Sequence, residues 1–144
     1  MKKTDYLWWI LRLIIALIYL QTLYFKFSGH PESVYIFSKM GLEPYGRIGL
    51  GMAELITACL LLIPQTKLYG LLFSLGIISG AVFSHLAILG IEVRGDGGTL
   101  FYLSLTVWII SAFLLFVYRV ELRQLWKYIT LRFFNRSIKT ESTI

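Results

Sequence analysis

The charges of this chain are strongly segregated, and that segregation constrains its fold more than any other feature. Residues 13–25, 68–91 and 97–118 contain no Asp, Glu, Lys or Arg, and residues 48–66 contain only Glu54. A helix needs roughly 20 apolar residues to cross a bilayer core, and each stretch is about that long with its flanks. Charged residues make up 15% of the 144-residue chain and hydrophobic ones 57%, against about a quarter charged in ordinary soluble proteins. A soluble globule is excluded.

Four membrane spans are predicted, at about residues 7–25, 47–63, 68–90 and 100–118. The first follows Lys2 and Lys3 and so resembles a signal peptide, but it is too long for an h-region and ends at Lys26 rather than at small residues, so it is read as retained. Pro64 stops the second. Short connections make an all-α, antiparallel transmembrane four-helix bundle the simplest packing. Residues 27–46 hold Val34, Ile36, Phe37 and Met40 between Gly and Pro turn residues, which predicts a short outer loop helix able to cap the bundle. The membrane domain is thus residues 1–119. Residues 120–144 read as a basic, amphipathic cytoplasmic tail along the leaflet, with Leu122, Leu125, Trp126, Ile129 and Phe133 at helical spacing and disorder expected over 140–144.

Nine Lys and Arg fall on the face that holds both termini and four on the other, with Arg12 inside a span. The positive-inside rule then places the N- and C-termini in the cytoplasm. Cations beside apolar spans suit anionic lipid headgroups as a partner, not nucleic acid. Tyr and Trp residues near the span ends fit interfacial belts. One cysteine, Cys59, excludes an intramolecular disulfide, a Cys-x-x-Cys redox pair and a cysteine metal cage. His30 and His85 lack carboxylates at ligand spacing, so no metal is predicted.

Ionisable groups inside a bilayer are costly and therefore informative. Counting along the spans puts Gln21, Lys26, Glu54 and His85 in one outer half-layer, with Ser104 and Thr106 at similar levels. Glu54 lies roughly 10 Å and His85 roughly 8 Å below the outer ends of their spans at ~1.5 Å per residue. Two readings stand side by side. Lys26 and Glu54 form an ion pair that fixes helix register, with His85 as a hydrogen-bonded core residue; or the same residues form a ligand or proton site, Glu54 and His85 exchanging protons.

Other features carry plainer expectations. Arg12, near the cytoplasmic end, can snorkel into the headgroups or turn inward as a cation closing the site. Gly76, Gly80 and Ser84 make a small-residue stripe that suits close helix packing, and Gly46, Gly49, Gly51 and Ala53 suggest the same for the second span. The loop Ile91 to Thr99 (IEVRGDGGT) reads as a glycine turn with solvated charges, or as a lid over the polar layer. It matches neither a phosphate loop nor an EF-hand.

Taken together, Arg12 in the first span, LYFKF at residues 23–27, the segment from Phe37 to Pro44, GRIGLGMAEL with Glu54, the LLLIP ending and a third span closing near His85 resemble the DoxX family of small four-helix membrane proteins. The run TLYFKFSGHPESVYIFSKMGLEPYGRIG is similar to one bacterial branch. The resemblance spans about Leu11 to Arg119. It implies a four-helix fold in a bacterial inner membrane and, through the member that gave the family its name, a link to thiosulfate oxidation coupled to quinone.

The leading expectation is a subunit that handles protons or electrons with a quinone-type, lipid-soluble carrier, as part of a quinone-linked oxidoreductase if it is catalytic at all. Gln21, Lys26, Glu54 and His85 would line the site, and Lys26 would stabilise negative charge on the carrier. Electrons would come from a partner protein, because no side chain here carries them as a metal or flavin does. The alternatives are a non-catalytic scaffold or assembly subunit, acting with a protein partner or as a homo-oligomer, and a small proton-coupled transporter using Glu54. Lys26 and His85 count against a cationic substrate.

Overall fold

The computed structural model describes residues 3–141, with side chains over 5–131. Every regular element among them is helical: α1 (Lys3–Phe27), α2 (Pro31–Lys39), α3 (Tyr45–Leu62), α4 (Lys67–Ser84, continued by a π-helical turn His85–Leu89), α5 (Thr99–Val117) and α6 (Arg119–Glu141). Four are long and apolar enough to cross a membrane, Asp5–Phe27, Tyr45–Leu62, Lys67–Leu89 and Thr99–Val117, within a few residues of the expected spans. α6 reaches Glu141, inside the stretch expected to be disordered, and residues 142–144 lie outside the described residues. Lys2 also lies outside them, and the side chains of Lys3, Arg132, Phe133, Arg136 and Lys139 lie outside those described.

The helices form a bundle in which α1 packs on α3, α3 on α4, α4 on α5, and α5 less extensively on α1. Its polarity is inverted relative to a soluble protein. Arg12, Glu54 and His85 are 5%, 6% and 5% exposed, while Phe83 and Phe116 are 68% and 63% exposed. Lipid tails are as apolar as Phe, so a bilayer makes this distribution favourable. The core joins Ile15 and Tyr19 of α1, Ala58 and Leu61 of α3, Leu71 and Ile78 of α4, and Val107 and Leu114 of α5.

Two arginines clasp α1 and α3 at opposite ends. Arg12 donates Nη1–H to the Leu61 carbonyl at 3.1 Å, satisfying an acceptor that the end of α3 leaves open. Arg47, buried near the start of α3, donates to the Lys26 carbonyl at the end of α1, and its Nε and Nη2 bind the Glu43 carboxylate at 2.9 and 2.7 Å. Arg12 therefore turns into the bundle and does not snorkel. A cation beside a helix C-terminus also opposes the helix dipole, which favours that inward position.

Close helix approach occurs elsewhere than the glycine stripe suggests. A Cβ on Gly70 would stand 2.8 Å from Leu61 N and 3.0 Å from Leu60 C, so only glycine lets the start of α4 meet the end of α3. At Gly76 and Gly80 a Cβ would meet nothing within 4 Å, and both are exposed. Gly49 is equally open, whereas Gly51 seats Phe27 and Gly46 abuts Leu42. Small residues mark a helix contact only where a second backbone arrives.

Near the middle of the spans, Tyr19 of α1 donates its hydroxyl to Ser74 O at 3.1 Å and lies 3.0 Å from Ser74 Oγ, which is 2.9 Å from Ser111 Oγ of α5. All three residues are buried. The chain of hydroxyls ties three spans together without a charge. Beyond Tyr118, α6 carries Leu122 and Leu125 against the core, and Lys67 pairs with Glu121 at 2.8 Å. The end with α2 is hereafter the cap end, and the end with Arg12 and α6 the terminal end.

Candidate functional site

A cavity of about 840 Å³ lies at the cap end, walled by α1, α3, α4 and α5 and covered by α2. Its wall is mostly apolar, with Ile18, Phe37, Met40, Leu50, Ile77 and Leu103 contributing, and Gln21, Lys26, Glu54, His85 and Asp96 supply polar groups. Gly49 and Gly80 line it without side chains, and this is the use of the glycines that the packing expectation misassigned. The volume lies within the roughly 300–1,000 Å³ of small-molecule sites.

Lys26 and Glu54 meet in this wall. Lys26 Nζ is 2.8 Å from Glu54 Oε2, and both side chains are largely buried. Thr22, one turn before Lys26 on the same face of α1, donates its hydroxyl to the same Oε2 at 3.0 Å and to Tyr19 O at 2.8 Å. Glu54 Oε1 receives neither bond. The i, i+4 spacing of Thr22 and Lys26 was the sequence signal for Thr22, which depth counting passed over. Breaking the pair would strand one buried charge, and that is more costly than the pair itself is stabilising.

His85 opens the π-helical turn. Its Nδ1 is 2.8 Å from Gly90 O, and Gly90 N–H returns a bond to His85 O at 2.8 Å. Gly90 has φ +88° and ψ 173°, a conformation open essentially to glycine alone. A carbonyl only accepts, so Nδ1 carries the proton, and Nε2 is the nitrogen available to a ligand. Phe101 of α5 packs edge-on against the ring with centroids 5.7 Å apart. Single π-helical turns recur at functional sites because they rotate one side chain off the α-helical register.

In the loop after Gly90, Glu92 and Arg94 are exposed as expected, but the Asp96 carboxylate is engaged by backbone. Asp96 Oδ1 accepts from Val93 N–H at 2.8 Å and Gly98 N–H at 2.9 Å, and Oδ2 accepts from Leu100 N–H at 3.0 Å. Partial burial pushes this carboxyl up, but the N–H groups of Leu100, Val93 and Gly98 outweigh it and hold it below the ordinary carboxylate range. Asp96 thereby caps the first turn of α5, and the D-G-G-T sequence was its signal. Arg94 reaches over the Tyr35 ring of α2 at 5.4 Å and Lys39 stands 5.9 Å from the same ring, so loop and cap helix share one contact.

The structure thus gathers Gln21, Lys26, Glu54 and His85 around one space, and Ser104 with them. Thr106 is exposed and bonds Tyr102 O, so it takes no part. Arg12 sits at the other end, against Leu61 O. His30 packs on Phe25 and its buried Nδ1 has no partner among the described residues. No group of three or more potential metal ligands occurs among them. Comparison with protein families, with curated proteins and with solved structures gives no match.

Proposed function

We propose that this chain is a multi-pass subunit of a bacterial inner membrane, similar to DoxX proteins, that holds the head of a quinone-type carrier in the cap-end cavity and exchanges protons with it. Its spans run antiparallel with both termini in the cytoplasm, as the excess of Lys and Arg on the terminal face supports. α6 lies along the inner leaflet, exposing Trp126 and Leu131. The observation that carries the reading is that a buried acid, its paired lysine and a buried histidine share one largely apolar cavity of about 840 Å³.

Each residue has a distinct part. Lys26 supplies positive charge to an oxygen of the head, Glu54 and His85 give or take its protons, and Gln21 adds an amide at the wall. Electrons come from a partner protein, and the basic, exposed face of α6 is suited to one. That same face supports a second reading, a scaffold subunit without chemistry. The Lys26 ammonium on Glu54 speaks against a cation exporter using that carboxylate.

Purification in mild detergent, organic extraction and mass spectrometry test the reading. A quinone or quinol should accompany the wild-type protein and be lost from Gly80→Leu, which fills the cavity, while helicity persists. A protein that retains no carrier and binds no added decyl-benzoquinone or its quinol would leave the scaffold reading standing.

A further inference from the structure

Besides the Gln21 amide and the Glu32 carboxylate, which also line the cavity, the polar atoms there are unequal in kind. Asp96 is consumed by three backbone N–H groups, and Ser84 and Ser104 donate to their own helices, at Gly80 O and Leu100 O. Lys26 spends one proton on Glu54 and keeps others for a ligand. Glu54 Oε1 is a pure acceptor. In the neutral ring His85 Nε2 is an acceptor as well, because Gly90 O obliges Nδ1 to hold the proton.

We propose that the site selects the hydroxyl-bearing, reduced form of its carrier: a hydroquinone head whose O–H groups donate to His85 Nε2 and Glu54 Oε1. This rests on the carrier-binding reading above. A quinone has only carbonyl oxygens, which accept from Lys26 but bring no proton to either acceptor. One hydroxyl accepts from Lys26 Nζ and donates its proton to Glu54 Oε1, and the other donates to His85 Nε2, so the two together satisfy the charged pair and the imidazole. Leaving a desolvated acceptor unpaired costs more than the net gain of an ordinary hydrogen bond, so the difference separates the two redox forms of one molecule. The apolar wall and the space beside Gly49 and Gly80 accept the ring equally in either form.

The test measures binding of decyl-benzoquinol, decyl-benzoquinone and the quinol dimethyl ether to the full-length protein in detergent, without oxygen. The quinol should bind about tenfold or more tighter than the other two, of which the quinone matches its shape without the donors and the ether keeps the aromatic ring but replaces each donor proton by a methyl. In His85→Asn the amide can still donate to Gly90 O but no second ring nitrogen remains, and the preference should shrink to about threefold or less. Equal binding of the three probes, or tighter binding of the quinone, overturns the selectivity and leaves carrier binding intact. An unchanged preference in His85→Asn removes the histidine from it. Binding of none of the three overturns the carrier reading and this inference with it.

Discussion

The two ends of this bundle use the same materials to opposite effect. At the terminal end Gly70 lets α4 touch the backbone of α3, Arg12 closes on Leu61 O, and Leu61, Leu71 and Leu114 fill the space. At the cap end Gly49 and Gly80 meet nothing, and the charges of Lys26 and Glu54 line a cavity. A glycine between two backbones is a clasp, and a glycine facing no neighbour is a vacancy. An arginine on a helix-end carbonyl is structural, whereas a lysine–glutamate pair with an oxygen to spare is available to a ligand.

The sharpest way to break this contrast is to strand a charge. Lys26→Met leaves Glu54 without its cation and should cost roughly 3 kcal/mol in thermal unfolding, while Lys26→Met with Glu54→Leu should recover most of it. Full stability in the single variant would mean that the pair is as solvated as a surface one. Next comes one substitution at both ends. Gly70→Leu forces a side chain into Leu61 backbone and should destabilise by about 1–3 kcal/mol, whereas Gly80→Leu should unfold at nearly the wild-type temperature. Equal losses at both ends would erase the distinction between clasp and vacancy.

Arg12→Met should cost about 1–2 kcal/mol by orphaning the Leu61 carbonyl, without changing ligand binding at the cap end. Asp96 gives a pH test. Its folded carboxyl lies below the unfolded value, so the stability it contributes is present above the unfolded value, near pH 4, and is lost as pH falls through the folded one. The amide NMR shifts of Val93, Gly98 and Leu100 should therefore move together below about pH 4 and lose that titration in Asp96→Asn. The smallest effect is expected at Arg94→Ala, about 0.5 kcal/mol from the contact with Tyr35, seen as faster hydrogen exchange in α2.

Span positions, the capping helix and the grouping of Gln21, Lys26, Glu54 and His85 around one cavity were legible because a bilayer penalises charge so heavily that the few polar positions within spans stand out. Facing was less legible. Arg12 has the length either to snorkel or to turn inward, and only the open carbonyl of Leu61 favours the second. Thr106 fits by its count along the span but lies on the exposed face of α5. Tyr19, Ser74 and Ser111 read singly as mid-span hydroxyls, and nothing local marks them as one chain of bonds.

The sequence by itself determined that this is a helical membrane protein, where its four spans run, and which polar groups fall toward the same end of the bundle. Those properties are set by length, hydropathy and the 1.5 Å rise, which act along one helix at a time. Only the tertiary structure decided that Glu54 meets Lys26 and Thr22, that His85 turns one nitrogen to Gly90 O, and that glycines beside them leave a cavity. Those outcomes depend on the rotation of each helix about its axis, which is fixed by packing against neighbours distant in sequence.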